Sequence, residues 1–203
     1  PFITTNDGTI KNIKLTGEIA SGDEAAAFTI TNNGNITNCH NVNMNITASS
    51  YAAGITVYNN ENGIILNCSN SGNLSSDWIG AGIAVNHYGQ IYNSYNAGDI
   101  VAAEATGLVL DLSGKIKNCY NKGNMQGEAT GNSTGLYQGS YDNDRDIKVE
   151  NSYNSGNIPN GTGTFKIARD LYSTTRVYAI KTDEEEVLND AIGNELNYEY
   201  GWI

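Results

Sequence analysis

The sequence predicts an all-β chain, folded as a right-handed parallel β-helix (β-solenoid) of about six coils with a short C-terminal helical cap. Three observations support this prediction. A segment of twelve residues recurs along most of the chain, its third position is always Ile or Val, and its fifth position is always Asn. A repeat built of short β-strands, with a period in the twenties, is typical of a solenoid in which each copy forms one coil.

The clearest copy of the repeat spans residues 114–125, G-K-I-K-N-C-Y-N-K-G-N-M. Six copies begin at Gly8, Gly34, Gly63, Gly89, Gly114 and Ile147, at spacings of 26, 29, 26, 25 and 33 residues. Stacked coils are about 4.8 Å apart, so six coils predict a rod of roughly 30 Å. The usual connection rule for parallel strands predicts a right-handed path.

The columns of the aligned copies indicate which positions serve the structure. The third is a β-branched column suited to a buried, pleated surface: Ile10, Ile36, Ile65, Ile91, Ile116 and Val149. Asn recurs at the fifth and eighth positions, and Gly recurs at the tenth. Because Asn and Gly reach left-handed backbone conformations easily, we expect all three columns to form corners.

The sixth column contains all three cysteines, Cys39, Cys68 and Cys119, beside Ile13, Ser94 and Ser152. This column is expected to be a buried stack of small side chains, in which free Cys acts as a small hydrophobe. A disulfide between Cys39 and Cys68 of adjacent coils is the alternative, because neighbouring strands lie within the distance that a disulfide tolerates.

A further strand is expected in each copy, beginning at residues 27, 54, 82, 107, 135 and 164, so that each copy supplies two or three strands. The loop before it carries acidic residues along one predicted edge: Asp23, Glu24, Asp77, Glu104 and Glu128. These acids are interpreted as solvated loop charges, because a cation cage or a row of catalytic carboxylates needs oxygens that converge on one point.

The seventh column predicts a ligand-binding face. If the sixth column points inward, alternation turns Tyr95, Tyr120 and Tyr153 outward, with Tyr92 nearby. Exposed tyrosines offer stacking area for sugar rings or protein partners, but they also stabilise neighbouring strands simply by packing on one another. Both interpretations stay open.

The loop between Gly127 and Gly135 and the insertion at residues 138–146 are the largest departures from the period, and insertions in repeat proteins often carry specific contacts. From the insertion we expect Tyr141, Asp142 and Arg145 to contribute to ligand binding. Its alternating aspartates lack the Gly and the distal Glu of a calcium loop, so no metal site is predicted.

The solenoid is predicted over residues 1–167 and the cap over residues 168–203. Within the cap, residues 183–192 are expected to form a short helix. Thr182 is a suitable N-cap, Glu185 completes a capping box, and Gly193 ends the segment.

Charge and motifs exclude several functions. The formal net charge is −11 and the pI is near 4.4, which argues against nucleic acid and anionic membrane surfaces as partners. No apolar run is long enough to predict membrane insertion. No zinc, nucleophile-elbow or phosphate-loop motif occurs, and no column gathers paired carboxylates, so we predict no catalytic residues, no metal and no cofactor. Because the chain begins Pro1-Phe2-Ile3, without an initiator Met or a secretory segment, we expect it to be part of a longer polypeptide with further domains.

The frame G-x-I-x-N-C-Y-N-x-G-N-I, followed by G-L/I-x-x, resembles the GLUG repeat over roughly residues 5–167. The resemblance implies a large secreted or wall-attached bacterial protein, either adhesin-like or a non-catalytic region of an IgA-specific metallopeptidase. The expected function is therefore a non-catalytic extracellular module at the bacterial cell surface that acts as a spacer and binds a glycan or a protein of the host or matrix. The alternatives are a carbohydrate-active enzyme, either a polysaccharide hydrolase or a lyase, and a substrate-recognition domain of a secreted peptidase.

Overall fold

The computed structural model describes residues 1–127, 133–139, 148–158, 164–165 and 174–179. Within these ranges the chain forms strands and turns and no helix, and its strands pair in parallel with the equivalent strands of the adjacent coils. The predicted all-β solenoid is confirmed, with about five complete coils. The predicted helix at residues 183–192 lies outside the described residues.

Four parallel sheets, which we call A to D in the order the chain meets them, run along the solenoid. Sheet A contains β1 (Ile3–Asn6), β6 (Thr29–Asn32), β11 (Thr56–Asn59), β16 (Ala84–His87), β21 (Val109–Leu112) and β26 (Tyr137–Gly139). Sheet C contains β4 (Glu18–Ser21), β9 (Asn45–Ala48), β14 (Leu74–Ser76), β19 (Ile100–Val101) and β24 (Met125–Gln126). Sheet D contains β5 (Glu24–Ala26), β10 (Tyr51–Ala53), β15 (Ile79–Ala81), β20 (Glu104–Thr106), β25 (Ser133–Thr134) and β28 (Thr164–Phe165).

Sheet B has two arms that meet in one long strand. The first arm contains β2 (Thr9–Lys11), β7 (Asn35–Thr37), β12 (Ile64–Leu66), β17 (Gln90–Tyr92) and β22 (Lys115–Lys117). The second contains β3 (Lys14–Leu15), β8 (His40–Asn41), β13 (Ser69–Asn70), β18 (Tyr95–Asn96) and β23 (Tyr120–Asn121). Strand β27 (Lys148–Asn154) pairs with both arms, and β29 (Thr174–Ala179) pairs with β27. Strand β29 therefore adds a parallel rung within the segment that the sequence assigns to the cap.

A complete coil contains five strands, so the expectation of two or three was wrong. The segment interpreted as an acidic loop contains the strands of sheets C and D. Their sequences are short and rich in small residues, as in Glu24–Ala26 and Ile79–Ala81. The strands of sheet D lack the alternating pattern from which strands are normally recognised, and those of sheet C alternate over four residues at most, as in Asn45–Ala48.

The predicted inward columns form the main core. The third column is buried throughout, from Ile10 at 6% exposure to Ile36, Ile65 and Ile91 at 0%. Cys39, Cys68 and Cys119 are buried beside Ser94 and Ser152, and the three cysteines are free. The interpretation of the sixth column as a buried stack of small side chains is confirmed.

The three columns expected to be left-handed corners have three different roles. Asn at the fifth position is left-handed in all six copies, with φ between 46° and 58°, and it separates the two arms of sheet B. In the tenth column, Gly17 and Asn43 have positive φ, whereas Gly72, Gly98, Gly123 and Gly156 do not. A Cβ on Gly98 would clash with the carbonyl oxygen of Gly72 in the coil below, so close approach of the coils, not backbone handedness, requires glycine there.

The eighth column is a buried hydrogen-bonded ladder. Each side-chain amide nitrogen donates to the side-chain oxygen of the Asn in the next coil, over distances of 2.6 to 2.8 Å, from Asn41 through Asn70, Asn96 and Asn121 to Asn154. Asn70, Asn96 and Asn121 also donate to the backbone oxygen two residues ahead. Buried amides of this kind need partners, and the ladder supplies them only when the coils stack in register.

Candidate functional site

Tyr95, Tyr120 and Tyr153 form the predicted column, which we call the tyrosine ladder. Their residues pair in register across β18, β23 and β27, and all three side chains are half-buried. The rings of Tyr95 and Tyr120 stack with centroids 4.7 Å apart and planes 3° apart. Those of Tyr120 and Tyr153 stack at 5.1 Å and 5°. The outward column predicted from alternation is therefore present.

The stacking decides which part of each ring a ligand can reach. Both faces of Tyr120 are covered by its neighbours, and Lys122 places its ammonium 5.9 Å from the centroid of the Tyr95 ring. Burial raises the pKa of Tyr120, with a further contribution from the adjacent Tyr95 and Tyr153. The Tyr120 hydroxyl therefore stays protonated at neutral pH. At the centre of the ladder, Tyr120 therefore offers its ring edge and hydroxyl group rather than an open ring face.

The other predicted ligand-binding residues are not part of this ladder. Tyr92 belongs to the first arm of sheet B, where it pairs with Leu66 and Lys117. Lys117 forms a surface ion pair with Glu150 at 2.8 Å one coil further along. Tyr141, Asp142 and Arg145 lie outside the described residues. Tyr178 of β29 continues the register of the ladder beyond Tyr153.

A second apolar cluster lies on the opposite side of sheets A and D from the main core. In sheet D, Ala25 and Ala52 pack in the main core, whereas their successors Ala26 and Ala53 pack in the second cluster. Sheet A divides in the same way, with Val109 in the main core and Leu110 in the second cluster. Successive side chains of a strand point to opposite faces of its sheet. The side chains of sheets A and D that point away from the main core therefore pack together in the second cluster, which we call the outer corner.

Three aromatic side chains lie at this corner, and we call them the aromatic patch. Tyr51 and Tyr58 pack on the second cluster, and their rings meet edge to face at 6.3 Å. The indole of Trp78 packs on Tyr51 with centroids 5.3 Å apart and planes 34° apart, yet Trp78 is 52% exposed. The patch therefore presents a large aromatic surface to solvent on a packed support.

Carboxylates border the aromatic patch on both sides. Glu24, Tyr51, Ile79 and Glu104 occupy equivalent positions in four successive strands of sheet D. The hydroxyl of Tyr58 donates to Oε1 of Glu24, and burial together with this acid raises the Tyr58 pKa. On the other side, Nε2 of Gln138 donates to Oε2 of Glu104 over 3.1 Å. Two of the acids interpreted as solvated charges therefore hold side chains in the outer corner.

A shallow polar depression of about 370 Å³ lies at the turn between sheets A and B. It is lined by Asn60, Glu61, Asn62 and Tyr88. This turn is two residues longer than the equivalent turn of the preceding coil, and one further residue before Ile46 completes the longer 29-residue step. No group of three or more metal-ligating side chains occurs in the described ranges.

The two histidines have different environments. His87 is completely buried, and burial lowers its pKa to about 4. Its Nδ1 lies 3.0 Å from Nδ2 of Asn59 and its Nε2 lies 3.2 Å from the carbonyl oxygen of Lys115. His40 is half-buried, and burial and the nearby Lys14 lower its pKa.

Sequence reasoning missed the aromatic patch because its residues do not share a column. Tyr51 and Tyr58 come from one coil and meet across the bend between sheets D and A, whereas Trp78 comes from the next coil, where it precedes Ile79, the pairing partner of Tyr51. A second omission is the column of Asn6, Asn32, Asn59 and His87, which are joined by side-chain hydrogen bonds. Its 26 to 28-residue spacing was visible in the sequence.

Comparison with known proteins gives no match to a family model, to a curated protein or to a solved structure. In the described part of the chain, no helix has the length and apolar character needed to cross a membrane.

Proposed function

We propose that the chain is a non-catalytic spacer and ligand-binding module of a larger secreted or surface-attached bacterial protein. Its ligand is a glycan or a protein of the host or matrix. The observation that carries the proposal is the tyrosine ladder, a column of half-buried aromatic side chains along one face. The resemblance of the repeat to the GLUG repeat supports an extracellular location, which is part of this proposal.

The spacer role follows from how the coils are joined. Buried side-chain hydrogen bonds cross every coil boundary between Asn41 and Asn154, in addition to the backbone pairing of the four sheets. In a repeat protein each coil contacts only its neighbours, so rigidity depends on these boundaries. Well-satisfied buried polar networks rigidify a structure, which suits a module that holds a ligand away from its point of attachment.

The ladder suits a ligand with repeating polar groups. Its tyrosines are one coil apart, and coils repeat at about 4.8 Å, so the hydroxyl groups recur at regular intervals. Tyr combines apolar area with a polar tip, a combination that is enriched at binding surfaces. The same stacking also stabilises the strands, so the test has to separate binding from packing.

The test is a screen of glycans and matrix proteins with the wild-type chain and two triple variants. Replacing Tyr95, Tyr120 and Tyr153 by Phe keeps the ring stacking and removes the hydroxyl groups, whereas replacing them by Ala removes both. Circular dichroism establishes that each chain is folded.

We expect the wild-type chain to bind at least one member of the screen and the Phe variant to lose at least tenfold in affinity while remaining folded. Full binding by the folded Phe and Ala variants would show that the ladder only packs. A folded wild-type chain that binds nothing would leave the spacer role alone.

A further inference from the structure

We propose that the aromatic patch of Tyr51, Tyr58 and Trp78 is a stacking site for neutral pyranose sugars. The inference rests on the proposed role as a binding module, but it is independent of the tyrosine ladder. Tyr51 lies in sheet D, Tyr58 lies in sheet A and Trp78 lies in the turn before β15, whereas the ladder lies in sheet B.

Trp78 supplies an exposed aromatic side chain, whereas the tyrosines of the ladder are half-buried. Its indole rests on Tyr51, and more than half of its surface is exposed. Tyr51 in turn contacts Tyr58 and the buried outer corner. An aromatic platform that is already held in place loses little conformational entropy when a ligand binds.

The rim of the patch provides hydrogen-bond acceptors for hydroxyl groups. Asp77 precedes Trp78 and is exposed, and the backbone amide of Glu104 donates to the carbonyl oxygen of Trp78 over 2.8 Å. Glu24 lies beyond Tyr51. Ionised carboxylates only accept hydrogen bonds, and sugar hydroxyl groups donate them. A pyranose ring with an apolar face and polar edges matches an indole bordered by acids.

The spacing of the acids favours an oligosaccharide over a single sugar. Glu24 and Glu104 are three coils apart in one column of sheet D, which corresponds to about 14 Å along the solenoid. The aromatic side chains lie between them. A chain of sugars along the solenoid axis would contact Trp78 at its centre and an acid at each end.

Charge selects neutral sugars. Among the described residues, those that form and border the patch include Asp77, Glu24 and Glu104 and no Lys or Arg, in a chain whose formal net charge is −11. A uronate, a sialic acid or a sulfated sugar would therefore meet like charges, which disfavours binding.

The small size of the patch argues against a protein partner. Among the described residues the exposed large hydrophobic side chains are Phe2, Ile3, Trp78 and Val101, so Trp78 is not part of a broad apolar surface. A stable protein interface buries about 800 Å² on each partner around an apolar centre. One indole on one phenol ring is sufficient for a sugar and too little for such an interface.

The experiment measures binding of cellohexaose, laminarihexaose and hexagalacturonate by isothermal titration calorimetry. The chains are the wild type, Trp78→Ala, Trp78→Phe and Val101→Ala. Val101 is the matched control because it is 49% exposed, apolar and on the neighbouring sheet C. Trp78 is half exposed, so its replacement is not expected to unfold the chain, and circular dichroism verifies this.

We expect a neutral hexasaccharide to bind the wild-type chain and Val101→Ala equally. Trp78→Ala should lower the association constant at least tenfold and Trp78→Phe by less, while hexagalacturonate should bind at least tenfold more weakly than the neutral sugar.

Binding that is unchanged in Trp78→Ala but lost in the Tyr95/Tyr120/Tyr153→Phe variant would overturn this inference and leave the proposed function standing. Equal or tighter binding of hexagalacturonate would overturn the assignment to neutral sugars. A folded wild-type chain that binds none of the three sugars would overturn this inference, while the screen with the tyrosine variants would still decide the wider proposal.

Discussion

At the scale of single residues, the stability of the fold depends on buried polar side chains. These side chains form all their hydrogen bonds in only one orientation and one protonation state. His87 is the clearest case. Asn59 donates from Nδ2 to the carbonyl oxygen of Gly63, and its Oδ1 accepts from Asn32, which fixes the orientation of the amide. Nδ1 of His87 must then accept from Asn59, and Nε2 carries the proton and donates to Lys115. Only the neutral imidazole fits this arrangement.

Acid is therefore expected to destabilise the fold through His87. Its pKa is about 4 in the folded chain and 6.5 in the unfolded chain, so the unfolded state binds the proton first as the pH falls. The contribution of His87 to stability is complete above pH 6.5 and is lost progressively between pH 6.5 and pH 4. Each pKa unit corresponds to about 1.4 kcal/mol, so the full loss is about 3 kcal/mol.

Urea unfolding at pH 7.5 and pH 4.5 measures this loss, with His87→Asn as the test variant. An Asn at this position can accept from Asn59 and extends the Asn column, so the variant should lose about 2 to 3 kcal/mol less than the wild type between these pH values. His40→Asn serves as the control and should keep most of the wild-type loss. Equal acid sensitivity of His87→Asn and wild type would contradict the assignment.

At the scale of structural elements, the ladders connect one coil to the next. Asn96 is a typical member of such a ladder. Its buried side-chain amide accepts a hydrogen bond from Asn70, donates one to Asn121 and donates another to the carbonyl oxygen of Gly98. The buried position is tolerable because every coil repeats the same side chain. Removing one member leaves the amides of two neighbours without their partner.

Asn96→Ala is expected to lower the free energy of unfolding by roughly 3 to 5 kcal/mol, since each buried group that loses its partner costs about 1 to 3 kcal/mol. Chemical denaturation measures the change. Asn62→Ala is the matched control, because Asn62 is exposed in the turn of the longer second coil, and a surface substitution should change stability by no more than about 0.5 kcal/mol. Similar values for the two variants would mean that the ladder contributes little.

The columns of the repeat predicted the elements of sheet B well. Ile10 and its equivalents, the fifth-position Asn and the Cys/Ser stack occupy the expected places, because each combines a residue type with a fixed structural role. Sheets C and D were not predicted, since strands of sheet D such as Glu24–Ala26 have no alternating pattern and those of sheet C alternate over four residues at most, as in Asn45–Ala48. The aromatic patch also escaped prediction, because Tyr51 meets Tyr58 across a bend whose angle no local pattern encodes, and Trp78 joins them from the next coil.

At the scale of the whole molecule, the chain is a stack of coils that presents different side chains on different faces. The tyrosine ladder lies on sheet B, and the aromatic patch lies at the corner of sheets A and D. Both surfaces require that equivalent residues of successive coils lie directly above one another. In-register stacking is therefore the claim on which the two proposed sites depend.

Distances between spin labels on one column of sheet B test this claim most directly. Thr9, Lys115 and Lys148 are exposed members of one column, with Lys115 four coils and Lys148 five coils from Thr9. Each position is replaced by Cys and labelled in the pairs Thr9/Lys115 and Thr9/Lys148, while the buried native cysteines are protected from the label in the folded chain.

Pulsed electron double resonance should give narrow distributions, with the backbone positions separated by about 19 Å and about 24 Å, because each coil adds about 4.8 Å. An increase of about 5 Å between the two pairs is the expected result of one additional coil. Broad distributions, or the same mean distance for both pairs, would contradict in-register stacking.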